Sequence, residues 1–187
     1  MDGIRRVVTG IDETGRSVFV SDERVQAVAP PILNGAKLIE LYGADDHPTI
    51  PTDGAVASGL DYFPALPHGW RFGIFSYPPE TELVAPDDFA SALEETKRLV
   101  PGLENAVSEP GGEHYTPTID LEYVIEGEFT LTLDEGESTV LKQGDCLVQC
   151  GAKHSWANKS DGQSTMLVIF IAAELDEERF GEHRIQH

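Results

Sequence analysis

An all-β sandwich or barrel is the predicted fold class, and three observations predict it. Between Gly111 and Asn158 the chain alternates strand-like runs of roughly five to seven residues with tight turn signals. The run TPTIDLEYVIEG leads to EFTLTL, the turn DEGE, STVLK, the turn QG, DCLVQ, the turn CGAK and HSWAN. A later run, Met166 to Ile171, is apolar at every position, the pattern of a strand buried on both faces. One segment alone, PDDFASALEETKRLVPG, has helical periodicity.

The chain opens with two strand candidates, IRRVVT and SVFVS, joined by the turn DETGR, which reads as a hairpin. VQAVAP is a third short strand, stopped by Pro30 and Pro31. Asn34-Gly35 is a turn signal, and AKLIELYGA after it is a fourth strand. Residues 44–68 hold four Pro, two Gly and few periodic apolar positions, so a long ordered loop is expected. Its Phe63 and Leu66, with Trp70, either cover the mouth of a pocket or patch the outside of the barrel. WRFGIFSYPP is a strand ended by Pro78-Pro79.

In the helical segment, Phe89, Leu93, Leu99 and Val100 stand at helical spacings and form the expected inner face. Asp87 and Asp88 supply a cap, Lys97 and Arg98 suit the last turn, and Pro101-Gly102 stops it. This insert is expected to pack on the barrel rather than to carry chemistry. One domain over 1–187 is expected: N-terminal strands at 1–43, the loop at 44–68, a strand and helix insert at 69–110, the barrel at 111–173 and a polar tail at 174–187.

Charge narrows the function classes. The net charge of −20 argues against nucleic acid, whose phosphates want Lys and Arg, and against an anionic membrane surface. From Asp120 to Glu137 there are seven acidic residues and no basic one, either a solvated barrel face or an acidic rim that helps hold a cation. No apolar run reaches the ~18 residues of a membrane span. MDGIRRVVTG lacks the apolar core of a signal peptide, so a cytoplasmic location is expected. Cys146 and Cys150 lie on one strand candidate, ~13 Å apart along it, too far for a disulfide. They read as core or pocket-wall residues.

His114, Thr116, Asp120 and Gly127, with six residues between the last two, and then Gly144, Gly151, His154 and Asn158 form two spaced sets. These sets resemble the two motifs of the cupin superfamily. Thr116 stands where cupins carry a second His, Asp120 stands in place of a Glu, and Gln149 lies near the place of a Pro. The resemblance implies a double-stranded β-helix (jelly-roll) barrel with N-terminal strands and one inserted helix. It also implies a divalent metal ion (Fe, Mn or Zn) held by His114, Asp120 and His154, and a small-molecule substrate. Two imidazoles and a carboxylate with open positions suit non-haem iron, and equally Zn²⁺ or Mn²⁺. A metal-free pocket using the same residues for acid–base work or simple binding stays open.

Strand alternation then fills in the pocket. Asp120, Glu122 and Val124 share one face, as do His154, Trp156 and Asn158. Glu122 is the expected acid–base residue. Thr116 is expected to hydrogen-bond a metal-bound water or to leave a position open. Glu113 and Tyr115 are expected to face outward. His47, His68, His183 and His187 have no comparable spacing and read as surface residues. The expected activity is that of an oxidoreductase, with a decarboxylase or dehydratase, or a non-catalytic binding protein, as alternatives. A homodimer is expected, because the short Val- and Ile-rich N-terminal strands need a sheet edge to pair with.

Overall fold

The computed structural model describes residues 2–33, 35–55, 59–107 and 112–180, with the backbone alone for Glu177 and Phe180. Asn34, Gly111, His183 and His187 lie outside the described residues.

The first two strands, β1 (Gly3–Ile11) and β2 (Ser17–Gln26), form the expected hairpin. Asp12 shapes its turn by accepting hydrogen bonds from the Thr14 and Arg16 backbone N–H groups at 2.8 and 3.0 Å. The expected third strand is not separate. Val25 and Gln26 extend β2, and Val28 makes a single bridge to Leu38. Then follow β3 (Lys37–Ala44), β4 (Trp70–Tyr77), α1 (Phe89–Leu99), β5 (Thr118–Glu126), β6 (Glu128–Leu133), β7 (Ser138–Lys142), β8 (Cys146–Cys150), β9 (His154–Ala157), β10 (Ser164–Ala172) and a short α2 (Glu177–Phe180).

A five-stranded antiparallel sheet of order β3-β4-β10-β5-β8 faces a three-stranded sheet of order β7-β6-β9. Between them sits a cluster of Val124, Phe129, Met166, Val168 and Phe170, with Leu141 and Trp156 packed against it. The barrel therefore starts earlier than expected: β3 and β4, placed by sequence among the N-terminal strands and the insert, belong to its larger sheet. The turn from β5 to β6 needs Gly127. Its φ is +74°, and a Cβ there would sit 2.5 Å from the Ser164 hydroxyl and 2.9 Å from the Gln163 carbonyl.

Helix α1 is capped as expected, Asp88 accepting from the Ser91 backbone N–H at 3.0 Å. Its inner face is the expected one in part: Val100 is buried and Leu93 half-buried, as expected. Ala92 and Thr96 are buried, followed by Val100, while Phe89 is 51 % and Leu99 36 % exposed. Thr96 is tolerated inside because its hydroxyl accepts from the Ile32 backbone N–H at 3.2 Å. Strand β10 is fully buried on one face and largely covered on the other, where Thr165 is buried and Leu167 packs against the cluster of Ile39, Leu41 and Ile74. Met166, Val168 and Phe170 point to the core, and Ile171 on the other face is 40 % exposed. Cys146 and Cys150 are free, exposed thiols on the outer face of edge strand β8, not core or pocket-wall residues.

Candidate active site

The two motif histidines meet. His114 and His154 form an antiparallel bridge, each backbone N–H donating to the other's carbonyl at 2.9 Å. Their ring centroids are 4.4 Å apart, inside the ~8 Å that ligands of one ion require. The two arms are built alike. His114 Nδ1 lies 2.9 Å from the Gly112 carbonyl and His154 Nδ1 2.9 Å from the Ala152 carbonyl, each two residues back. A carbonyl only accepts, so Nδ1 carries the proton in each ring and Nε2 keeps its lone pair. Outside the bridge, Lys153 and Glu113 pair at 3.3 Å, which places Glu113 outward as expected.

Strand β5 supplies the carboxyls. Its inward residues are Thr118, Asp120, Glu122 and Val124, and its outward ones Ile119, Leu121 and Tyr123, all at least 37 % exposed. Polar-in and apolar-out reverses the usual alternation, and burying two carboxyls needs a reason. Asp120 is 3 % and Glu122 7 % exposed, and Asp120 Oδ1 and Glu122 Oε2 have no hydrogen-bond partner. Burial pushes Asp120 up to about 6, against a Thr118 hydrogen bond that favours the ionised form. Burial, and then the neighbouring Asp120, push Glu122 up to about 8. Burial and then His114 push His154 down to about 4, and burial pushes His114 down as well.

His114, Asp120, Glu122, His154 and Trp156 line one cavity of about 530 Å³ between the sheets. Phe63 and Phe89 line it too, so the long loop and the insert both reach the pocket, whereas Leu66 is 49 % exposed and Trp70 packs on Tyr42 instead.

The other three expected site residues lie elsewhere. Val124 is 1 % exposed and sits in the core cluster beneath the cavity. Asn158 falls one residue past the end of β9. Its Nδ2 donates to the Tyr77 and Gly162 carbonyls and its Oδ1 accepts from Ser160, so it ties β9 to β4. The Thr116 hydroxyl is buried against that of Thr118 at 2.6 Å.

Sequence reasoning missed Gln149 and Tyr62. Gln149 pairs opposite Asp120, 4 % exposed, and its Nε2 has no partner. Tyr62 lines the cavity, and burial, then Glu40, Glu122 and Asp120, push its phenol well above the ordinary value. Its signal was the aromatic pair Tyr62-Phe63 in a Pro-rich loop. His47 and His68, both exposed as expected, stack at 4.0 Å.

Among the described residues, no group of three or more His, Cys, Asp and Glu side chains is gathered closely enough to hold an ion. The donor chemistry at the pole still fits a divalent cation. It offers two Nε2 lone pairs and two carboxyls with unsatisfied buried oxygens, which a cation would satisfy.

A cupin-domain family model matches residues 105–170. Phomopsin biosynthesis cluster protein C′ of Diaporthe leptostromiformis is 52 % identical over 54 residues, 27 % of this chain and 29 % of that protein. The chain thus spans less than a third of that relative's length. Cupin-domain-containing oxidoreductase srdD of Neurospora crassa is 27 % identical over 163 residues, covering 83 % of this chain and 68 % of that protein. A cupin 2 conserved barrel domain protein from Salinispora arenicola superposes with a TM-score of 0.41 at 13 % identity, over 83 % of this chain and 88 % of that one. The motif residues thus converge within the stretch, residues 105–170, that matches a cupin domain, and over that stretch the chain is similar to cupins.

Proposed function

We propose that the chain is a metal-dependent cupin enzyme of the oxidoreductase type, acting on a small organic molecule. The paired His114 and His154, each with Nδ1 tied to a carbonyl two residues back, carry this reading. Relatives described as cupin-domain-containing oxidoreductases support the reaction class. His114, His154 and Asp120 would hold the ion. When bound, it would supply Lewis-acid or redox chemistry.

The remaining residues act on the substrate and its protons. Glu122 takes or gives a proton at Oε2, the oxygen that no other group satisfies. Thr116 and Thr118 orient Asp120 through their hydroxyl pair. The rings of Phe63 and Trp156 exclude water beside the two histidines. An oxygen electrode tests the reaction class. O₂ consumption that depends on an added organic substrate is expected. Undiminished turnover under strict anaerobiosis would assign a lyase instead, with Glu122 as its base.

A homodimer belongs to the same proposal. Two surfaces of the chain expose apolar side chains: the hairpin, where Phe19 is 78 % and Ile11 46 % exposed beside the ion pairs Arg5–Asp22 and Arg6–Glu23, and the outer side of β5 and β8, where Tyr123 is 44 % and Val148 61 % exposed. A two-fold pair covers such surfaces with their own copies while keeping the acidic remainder apart. Light scattering at micromolar concentration is expected to give twice the chain mass of 20.4 kDa, and a monomer mass would overturn it.

No helix among the described residues is long and apolar enough to cross a membrane.

A further inference from the structure

We infer that two copies of the chain join through strand β8, pairing antiparallel and edge to edge about Val148, so that their two five-stranded sheets run on as one. This rests on the proposed homodimer and adds where, and in what register, the copies meet. Three observations carry it.

Strand β8 is an unguarded edge. It ends the order β3-β4-β10-β5-β8, and among the described residues no strand pairs with its free side. Beside its ladder with β5, Val124 donates to the Asp145 carbonyl and accepts from the Gly144 N–H, both at 3.0 Å. Alternation from there turns the backbone N–H and C=O groups of Leu147 and Gln149 toward β5, and those of Cys146, Val148 and Cys150 to the free side. Such a row is a template for another strand, and proteins usually blunt it with charge, proline or a cover. The other edges show these devices. The hairpin strands carry Arg5, Asp22, Glu23 and Arg24. Ile39 and Leu41 of β3 lie against Ile4, Val25 and Ala27, and Leu38 is bridged to Val28. Strand β9 is bridged through His154 to His114, and β7 ends in Lys142. Strand β8 reads CLVQC, with no charge and no proline.

The edge matches itself. Its exposed outward positions, Cys146, Val148 and Cys150, read the same in both directions. Pairing about Val148 sets the valines of the two copies opposite each other. It also sets each Cys146 opposite the Cys150 of the other copy, ~5.5 Å away at Cα. This symmetry is what a two-fold axis requires, and it selects a second copy as the occupant.

The contact is uncharged on a highly charged molecule. On the same outer face Ile119, Leu121 and Tyr123 of β5 stand opposite Cys150, Val148 and Cys146. Joining the edges sets two such strips side by side, so Val148, 61 % exposed, gains an apolar neighbour on its bare side. No Lys, Arg, Asp or Glu lies in these outward positions, so chains of net charge −20 meet where their repulsion is least.

Cys146 and Cys150 are the chain's two cysteines, so the protein carries its own probe of register. Diamide takes two electrons and two protons from a pair of thiols as their disulfide forms, and Cα atoms ~5.5 Å apart suit that bond. A disulfide-linked dimer on non-reducing electrophoresis is expected for the parent. It should be absent for Cys146→Ser and for Cys150→Ser alone, whose remaining cysteines stand at least ~13 Å apart across the axis. It should return when the two variants are co-expressed. Val148→Lys, at an exposed position, should weaken the dimer at least ten-fold by light scattering. A linked dimer formed equally by either single variant, a dimeric parent that forms no such disulfide, or a dimer indifferent to Val148→Lys would each overturn the inference. A monomeric parent would overturn the homodimer as well. A dimer that survives Val148→Lys but is lost with Phe19→Asp would keep the homodimer, place its contact on the hairpin and refute this inference alone.

Discussion

Glu122→Gln is expected to cut turnover by roughly 10²- to 10⁴-fold, the usual loss for a removed acid or base, while metal content stays unchanged. Asp120→Ala should lose metal and activity together. If Glu122→Gln instead emptied the metal site, the two carboxyls would exchange roles. The same variant should also become more stable in its metal-free form, and the sign follows from burial. In the folded protein Glu122 holds its proton up to about pH 8, whereas the unfolded chain releases it near the ordinary 4.5. Between those values the unfolded state gains by ionising and the folded state does not, so the contribution of Glu122 to parent stability falls as pH rises. Glutamine mimics the protonated acid and removes that slope. The melting temperatures of parent and variant should agree near pH 4, and the variant should melt higher at pH 8. A difference between parent and variant that does not grow from pH 4 to pH 8 would contradict the burial argument. The gain in stability against the loss of turnover is the signature of a residue kept for chemistry.

Phe129→Ala should cost about 3–5 kcal/mol of unfolding free energy, read from urea denaturation. Phe129 is 0 % exposed at the centre of the cluster between the sheets. Its ring lies 6.2 Å from Phe75 in one sheet and 5.8 Å from Trp156 in the other, so truncation opens a cavity where the two sheets meet. A loss under about 1.5 kcal/mol would mean that the sheets collapse onto the gap.

Much of the fold was legible because local chemistry fixes it. Asp88 marked the start of α1 by its capping bond, and the period-two pattern of Thr118 to Glu126 marked β5. The face of β5 was not legible from hydrophobicity. Its apolar side is the exposed one, and only the motif register pointed Asp120 and Glu122 inward. The inner face of α1 was legible at Val100 but not at Thr96, which is buried because Ile32, 64 residues away, supplies its partner. Residue type points Cys146 and Cys150 to the interior, but they lie on the outer face of an edge strand. Asn158 shared a face with His154 and Trp156 only as long as the strand continued, and β9 stops at Ala157. The addition of β3 and β4 to the larger sheet is long-range pairing, which no local pattern encodes. Gln149 stood out only once the register set it across from Asp120.

Under the proposed function, the histidine pair and Asp120 hold a metal ion. The most direct measurement is elemental analysis by mass spectrometry of protein purified without chelators, alongside His154→Ala prepared in the same way. Close to one divalent transition-metal ion per chain is expected in the parent, and less than a tenth of that in the variant. A parent with no metal that also takes up none from added Fe²⁺, Mn²⁺ or Zn²⁺, or a variant as fully loaded as the parent, would contradict the account.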